Sequence, residues 1–421
     1  MDYAISKQDK AILREEARKQ MDFANRESNI AKRKEWYLHN DLKGTRPMIH
    51  LETWTFAQEL LPQRLHCTGD FAREMETKLI CNYLNQDLFD DDRVTPDYFP
   101  LEYDCHFKLF NIDEKVDHTQ EKNGGEGIGY HFQPQLEDLE DDFHKIQKSD
   151  FGVDMDATHA KLDILNDTFG DILPVKMSMD CLYSVPTQML IHLMGMENLI
   201  FAMTDYPELF LDMMNRIADD TLDYYKLLES KKLILPTTGA QALGQGSWCY
   251  THELPGEEEF AKRAFTPKDV WGFMDSQETV VISPKMYEEM IFPCYKKISE
   301  QFGLLSYGCC EPVDPIWDNC ISKLDNLRRV SISPWSNEDI MGERLRDRKT
   351  VIYHRKPSPN MLGTGTVLDE NAVRASIDKT LECAKGCKLE ITQRDVYTIN
   401  HDIPKAQRYV NLIKEEIAKH W

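Results

Sequence analysis

The sequence has no apolar run long enough to span a membrane, and its first residues lack the basic and apolar regions of a secretory signal peptide. It therefore predicts a soluble protein of the cytoplasm. In that compartment the eleven cysteines are expected to be reduced thiols, not a disulfide framework. Such thiols are available for packing, metal binding or catalysis.

The sequence has fewer basic than acidic residues. Lys and Arg number 50 against 72 Asp and Glu, which gives a formal net charge of −22. A protein of that charge repels nucleic-acid phosphates and anionic lipids, so neither nucleic acid nor a membrane is expected as a partner. With 421 residues, 41% of them hydrophobic, the chain can bury a large core in one large or two medium domains.

Glycine-rich nucleotide-binding fingerprints are also missing. The run at residues 123–129 (Asn-Gly-Gly-Glu-Gly-Ile-Gly) has no P-loop lysine after it and no buried strand before it. We interpret it as the tip of a hairpin inside an acidic insertion, residues 106–170. A dinucleotide site is therefore not predicted.

Strand and helix patterns alternate along most of the chain. Residues 5–45 predict a polar helical arm that packs on the main body or on a second subunit. Eight apolar segments predict strands: 46–54, 99–104, 174–181, 270–275, 304–312, 327–333, 351–356 and 388–396. Helical stretches between them predict an α/β fold, a (β/α)8 TIM barrel over residues 46–421 with its insertion after the second strand. An open doubly wound sheet is the alternative.

The segment Leu304–Pro312 ends a buried strand on two adjacent thiols, Cys309 and Cys310, and the carboxylate of Glu311. Pro312 cannot donate to a strand ladder, so the strand is expected to end there. In parallel α/β sheets, active sites lie at this edge. Adjacent cysteines are often packing residues, and the spaced CxxC pattern of structural zinc sites is missing. The residues alone leave packing and metal binding both open.

The other strand ends would meet at the same mouth of a barrel. They carry carboxylates, cations and aromatics: Glu52, Trp54, Asp104, Asp180, Cys181, Asp275, Gln277, Trp335, Lys356, Arg394 and Asp395. The irregular segment 237–255, which contains Trp248, is long enough to cover a pocket. Each of these residues also has a structural interpretation, as a core aromatic, an ion pair or a hydrogen-bond acceptor. Cys383 and Cys387 precede the last strand, at the opposite end, and are predicted to pack.

The chain resembles the uroporphyrinogen decarboxylase superfamily, and within it the cobamide-dependent methyltransferases of methanogens and acetogens. The resemblance covers residues 46–415 and is carried by Tyr307-Gly308-Cys309-Cys310-Glu311-Pro312, Ser333-Pro334-Trp335, Lys356-Pro357-Ser358-Pro359 and Arg394-Asp395-Val396-Tyr397-Thr398. It is closest to the substrate-side methyltransferase of O-demethylase systems. Such enzymes pass a methyl group from a methoxylated aromatic compound to the cobalamin of a separate corrinoid protein. The decarboxylase fits less well, since no arginine cluster follows the first strand here.

In those methyltransferases a His-X-Cys pair after the fifth strand and a Cys after the eighth bind zinc. Here Tyr307 stands at the His position, Cys309 matches the first Cys, and Arg394 or Asp395 lies near the second. The resemblance therefore implies zinc held by a changed set of ligands, for which we predict Cys309, Cys310, Glu311 and Asp395. The catalytic residues predicted are Asp275, Tyr307, Glu311 and Asp395. The substrate-binding residues predicted are Trp54, Asp104, Asp180, Trp248, Gln277, Trp335, Lys356 and Arg394.

The chemistry is consistent with a metal, because a phenolate is a poor leaving group and a Lewis acid on the ether oxygen makes it a better one. Two other hypotheses remain. A metal-free decarboxylase-like lyase would use Asp275, Lys356 and Arg394 on a carboxylated substrate, and it would be insensitive to chelators. A corrinoid-handling protein would bind its partner without transferring a methyl group. A homodimer is the expected assembly.

Overall fold

The computed structural model describes residues 3–120 and 126–421, in which strands and helices alternate. The strands are β1 (Met48–Leu51), β2 (Phe99–Leu101), β3 (Asp104–Lys108), β4 (Lys115–Gln120), β5 (Glu126–Gln133), β6 (Asp150–Asp154), β7 (Val175–Met177), β8 (Leu182–Ser184), β9 (Trp271–Met274), β10 (Leu304–Tyr307), β11 (Leu327–Ile332), β12 (Ile352–Arg355) and β13 (Lys388–Gln393).

The helices lie mostly between these strands. They are α1 (Lys7–Ala24), α2 (Glu27–Asn40), α3 (Ala57–Leu60), α4 (Asp70–Leu88), α5 (Leu139–Asp142), α6 (Met155–Phe169), α7 (Pro186–Asp205), α8 (Pro207–Ser230), α9 (Glu257–Phe260), α10 (Pro284–Met286), α11 (Phe292–Ser299), α12 (Asp314–Trp317), α13 (Glu338–Asp347), α14 (Asn360–Gly363), α15 (Glu370–Cys383) and α16 (Ile403–His420). None of the described helices combines the length and the apolar character needed to cross a membrane.

Seven strands form a parallel sheet in the order β1-β13-β12-β11-β10-β9-β8. Every residue of β9, β11 and β12 is buried, as expected for parallel strands covered on both faces. The α/β class is confirmed. Six of the eight predicted strands correspond to members of this sheet, namely β1 and β9 to β13.

The predicted closed barrel is not formed by strand pairing in the described residues. The predicted strand 174–181 is interrupted, and only its first part, β7, pairs with β2 in a separate parallel sheet. At the free edge of β1, two carboxylates accept the backbone N–H groups. Leu51 N donates to Asp91 Oδ2 at 2.8 Å, and Ile49 N donates to Asp92 Oδ2 at 2.8 Å. These carboxylates occupy the edge at which β2 would otherwise pair.

Asp91→Asn is expected to lower the free energy of unfolding by about 2–3 kcal/mol at neutral pH, because a buried, charged acceptor is lost. Burial of Asp91 opposes its ionisation, but hydrogen bonds from His50, Leu51 and Arg93 lower its pKa from 3.8 to about 2. A carboxyl group whose pKa is lower in the folded than in the unfolded protein stabilises the fold at pH values above the unfolded pKa. This stabilisation is lost as the pH falls toward 2. Urea unfolding at several pH values measures both effects. Asp97→Asn, at an exposed carboxylate, is the control and should change stability little.

The insertion and the N-terminal arm pack on the main sheet and its helices. β3 pairs with β6, and β4 pairs with β5, both antiparallel. The predicted hairpin tip falls partly on residues 121–125, which lie outside the described residues. The predicted arm forms two helices, of which α1 packs on α4 and α6.

A buried ion cluster crosses the interior beneath the carboxyl ends of the strands. Arg329 of β11 lies 2.8 Å from Glu390 of β13, and both side chains are fully buried. His39 of α2 and His354 of β12 each lie 3.5 Å from the Glu390 carboxylate. The second N-terminal helix is thus joined to the sheet through a shared carboxylate.

Candidate functional site

The sequence suggested that the segment 237–255 could cover a pocket. In the structure this segment packs against the main sheet. Leu243 and Cys249 are fully buried, and the Cys249 carbonyl accepts from the Trp271 indole at 3.0 Å. The turn at its tip approaches β13 so closely that a Cβ at Gly246 would lie 2.5 Å from Thr392 Cγ2. This close approach brings Gln245 to the carboxyl ends of the strands.

The two thiols meet directly at that position. The sulfur atoms of Cys309 and Cys310 lie 3.5 Å apart, and the Cys309 thiol also lies 3.0 Å from Gln245 Oε1, which accepts from it. Cys310 Sγ lies 3.5 Å from Asp395 Oδ2. Gln245 and Asp395 both adopt left-handed backbone conformations, with φ of 52° and 57°. Strained residues of this kind cluster at functional sites, which marks the thiol pair as a candidate centre.

Glu311 supports the loop that carries the thiols. Its Oε2 accepts from the Cys309 backbone N–H at 2.8 Å, and its Oε1 accepts from the Ser276 N–H at 3.1 Å. Both oxygens are therefore engaged. The structure places Tyr307 elsewhere: it is fully buried among core residues, and its hydroxyl contacts Ser276 Oγ at 2.6 Å. The Tyr307 hydroxyl also contacts that of Tyr287 at 2.7 Å, and no hydrogen bond to either thiol is found in the described residues.

Two buried cations lie beside the thiol pair. Arg394 Nη1 donates toward Cys309 Sγ at 3.6 Å, and its guanidinium pairs with Glu52 and Asp395. Lys356 Nζ lies 3.4 Å from the carbonyl oxygens of Gly308 and Cys309. Burial and the neighbouring Arg394 lower the pKa of Lys356. The site therefore holds positive charge next to groups that can become thiolates.

Asp275 is almost completely buried at the end of β9, and its Oδ1 has no hydrogen-bond partner in the described residues. Burial, followed by the charges of Glu311 and Cys309, raises its pKa well above the ordinary value, against the opposing effect of Lys356. A protonated Asp275 can donate a proton or a hydrogen bond.

The thiols titrate as an unequal pair. The hydrogen bond between them lowers the pKa of Cys310, an effect that burial and Asp395 oppose and that Arg394 and Lys356 support. The same hydrogen bond, together with burial, raises the pKa of Cys309. Cys310 is therefore the more acidic thiol of the pair.

Alkylation by iodoacetamide at neutral pH is expected to be faster at Cys310 than at Cys105, because the pKa of Cys310 is lowered whereas burial raises that of Cys105, and the thiolate is the nucleophile. Peptide mass spectrometry separates it from the other ten thiols, of which exposed Cys105 is the internal reference. Cys309→Ala removes the donor and should slow the reaction of Cys310. Equal rates at Cys310 and Cys105, unchanged by the substitution, would contradict the assignment.

A cavity of about 570 Å³ opens beside Cys310. It is lined by Cys310, Gln277, Glu278, Trp335 and four apolar residues. Trp335 is 65% exposed at the rim, as an aromatic platform would be. The volume of the cavity lies in the range of small-molecule binding sites.

The remaining predicted residues lie apart from the thiol pair. Trp54 is 64% exposed at the end of β1. Asp104, Asp180 and Trp248 line a second cavity, and Asp104 forms an ion pair with Lys161. The structure thus places five of the eight predicted substrate residues in the walls of two cavities: Gln277 and Trp335 in the first, and Asp104, Asp180 and Trp248 in the second.

Two residues at the site were not predicted. Gln245 contacts Cys309 from a distant part of the chain, and the only sequence signal is its position between two glycines, both with positive φ. Glu278 is buried in the wall of the first cavity and accepts from Thr187 Oγ1 at 2.8 Å. Burial raises its pKa, so it is a second carboxyl able to carry a proton.

The sequence matches no protein-family model and no curated protein. Among solved structures, the chain is similar to a methyltransferase from Methanosarcina mazei, with a TM-score of 0.50 and 10% sequence identity. The likeness covers 91% of this chain and 98% of that chain. At such low identity it establishes the fold: this chain has the α/β architecture of that protein over nearly its whole length.

Proposed function

We propose that this protein is a methyltransferase that moves a methyl group from a methoxylated aromatic compound to the cobalamin of a separate corrinoid protein. The observation that carries the proposal is the Cys309–Cys310 pair beside Arg394 and Lys356, next to a cavity rimmed by Trp335. The similar protein from Methanosarcina mazei is itself called a methyltransferase, which supports the reaction class.

The distances between the donor atoms agree in part with those expected around a zinc ion. Two thiolates on one tetrahedral zinc lie about 3.8 Å apart, and a thiolate and a carboxylate oxygen about 3.5 Å apart. The Cys309–Cys310 distance of 3.5 Å and the Cys310–Asp395 distance of 3.5 Å are close to these values. Asp395 must turn toward Cys309, because the three ligand atoms do not form a group within 4.8 Å of one another. Each oxygen of the fourth predicted ligand, Glu311, accepts one backbone N–H, which holds this carboxylate against the loop.

In this proposal Cys309, Cys310 and Asp395 hold the zinc, which supplies Lewis-acid activation of the ether oxygen. The other residues position the substrate and stabilise charge. Trp335 and Gln277 line the space for the aromatic ring, while Arg394 and Lys356 offset the negative charge that develops on the leaving phenolate. The carboxyl group of Glu278, which lines this cavity and whose pKa burial raises, would donate to that oxygen.

A metal-free lyase is the second candidate, and one observation favours it. Lys356 lies close enough to the buried carboxyl of Asp275 to oppose the rise of its pKa, and Arg394 acts in turn on Lys356, so the site combines cations that can hold a substrate carboxylate with a carboxyl that can supply a proton. Such an enzyme would release carbon dioxide from a carboxylated aromatic compound.

Reduced free cobalamin, mixed with the protein and a panel of methoxylated aromatic compounds, tests the proposal. We expect methylcobalamin to form, followed by its visible spectrum, together with the matching phenol. The same mixtures are assayed for released carbon dioxide with carboxylated members of the panel. Carbon dioxide without methylcobalamin would replace the proposal with the lyase, and neither product would reject both functions.

A further inference from the structure

The orientation of the Cys309 side chain depends on a residue from a distant part of the chain. The Cys309 backbone is held by its N–H, which donates to Glu311 Oε2 at 2.8 Å, and by its carbonyl oxygen, which accepts from Ser331 Oγ at 2.7 Å. Neither contact fixes the side-chain torsion. The Cys309 sulfur lies 3.0 Å from Gln245 Oε1 and 3.5 Å from the Cys310 sulfur. Gln245 is therefore the neighbour best able to fix that torsion.

Gln245 lies in a turn that is packed between two strands of the main sheet. On one side, a Cβ at Gly244 would lie 2.8 Å from the ring of Phe273 in β9. On the other side, Thr392 of β13 donates from its hydroxyl to the Gly246 carbonyl at 3.3 Å. The turn therefore has little space in which to move away from Cys309.

The side-chain amide of Gln245 is held by a second contact. Its Nε2 donates to the Tyr183 hydroxyl at 3.4 Å, and the Tyr183 ring stacks on Phe273 with 4.8 Å between the ring centroids. The amide thus joins the Cys309 thiol to a ring that packs on the sheet. Because the oxygen and the nitrogen of one planar amide are both engaged, the direction of Oε1 is fixed.

The backbone conformation of Gln245 is unfavourable for a residue of its type. Its φ of 52° lies in the left-handed region, which glycine, asparagine and aspartate adopt more readily than longer side chains. A turn with no other role would favour one of those residues. Asparagine is one methylene shorter than glutamine, so it would not bring an amide oxygen to the Cys309 sulfur. The contact with Cys309 accounts for a glutamine at this position.

We propose that Gln245 is a positioning residue of the thiol site, which holds the Cys309 sulfur so that it faces Cys310. The pair is then ordered in advance, and the Cys309 side chain loses less rotational freedom when both sulfurs bind one atom. In the proposed function, on which this role rests, that atom is the zinc ion. The orientation of the two sulfurs can nevertheless be measured without methyl transfer.

Titration of the full chain with phenylarsine oxide, in competition with a small dithiol, tests the proposal. Its trivalent arsenic bonds to two thiol sulfurs and releases one water molecule. The Cys309→Ser, Cys310→Ser variant gives the background from the other thiols. We expect one arsenical per native chain above this background, and roughly threefold to tenfold weaker binding by Gln245→Asn, because the Cys309 side chain must then be ordered on binding. Tyr183→Phe, which removes the hydroxyl that Gln245 contacts, should weaken binding less.

Thermal unfolding separates positioning from a purely structural role. Gln245→Asn should have a Tm within about 2 °C of the native value, or above it, because asparagine tolerates the left-handed backbone. Lys232→Asn is the matched control: Lys232 is exposed just after α8 and has a φ of 59°. This control should change the Tm equally little and leave arsenical binding unchanged.

Three results would overturn the proposal. They are a native chain that binds no arsenical above background, a Gln245→Asn variant that binds as tightly as the native chain, and weaker binding that comes with a much lower Tm. A native chain that binds the arsenical but forms no methylcobalamin would reject the proposed function and leave the positioning role of Gln245 supported.

Discussion

Replacing both Cys309 and Cys310 with serine is expected to reduce methyl transfer by roughly a thousandfold and to remove any bound zinc. Serine keeps the size of each side chain but supplies no thiolate ligand near neutral pH. The loss follows from removing electrostatic stabilisation at the reacting atoms, which costs about 10²–10³ in kcat for a single group. Metal analysis by mass spectrometry and methylcobalamin formation are measured on the same preparations.

Cys383→Ser with Cys387→Ser is the matched control, because it removes two other buried thiols at the opposite end of the sheet. This variant should keep its metal and its activity and lose only stability. Near-stoichiometric zinc in the native chain and none in the Cys309, Cys310 variant would support the zinc site. A native chain without metal would reject the zinc mechanism, and full activity in the double variant would reject the site itself.

Glu390→Gln is expected to lower the free energy of unfolding by about 3–5 kcal/mol, the cost of leaving a buried charge without its partner. Arg329 is fully buried and lies 2.8 Å from Glu390. Burial opposes ionisation of Glu390, yet Arg329, His354 and His39 lower its pKa below the ordinary value. Denaturant unfolding at neutral pH measures the loss.

Two further variants separate this effect from general damage to the core. Arg329→Met combined with Glu390→Leu removes both charges and should recover most of the stability, because replacing a whole buried pair by apolar groups is often nearly neutral. Asp318→Asn breaks an exposed pair with Arg344 and should cost less than about 1 kcal/mol. A Glu390→Gln variant as stable as Asp318→Asn would contradict the assignment.

Local patterns were sufficient to predict most of the main sheet. The segments at 270–275, 327–333 and 351–356 each contain a fully buried parallel strand. The apolar residues of these segments marked the strands, although the last two also bury Arg329 and His354. The break within 174–181 and the open edge of β1 were not predictable in this way. The edge of β1 depends on Asp91 and Asp92, whose carboxylates accept the N–H groups that a neighbouring strand would otherwise bind.

The thiol pair was visible in the sequence because Cys309 and Cys310 are adjacent and follow a buried strand. Only some of the residues around the thiol pair could be predicted from the sequence. Lys356, Arg394 and Asp395 lie at neighbouring strand ends and were predicted, whereas Gln245 comes from a buried turn that no strand pattern marks. Tyr307 was predicted at the site from its place in a motif, and the structure shows its buried hydroxyl in contact with Ser276 and Tyr287.

By itself, the sequence determined the α/β class, the parallel strands and the edge at which reactive side chains collect, because these follow from local hydrophobic periodicity and strand direction. Only the tertiary structure decided that Glu311 accepts hydrogen bonds from the loop that carries the thiols, that Cys310 has the lower pKa of the two thiols, and that five of the eight predicted substrate residues divide between two cavities. Each of these depends on contacts between residues far apart in the chain, and on the burial and charge that those contacts create.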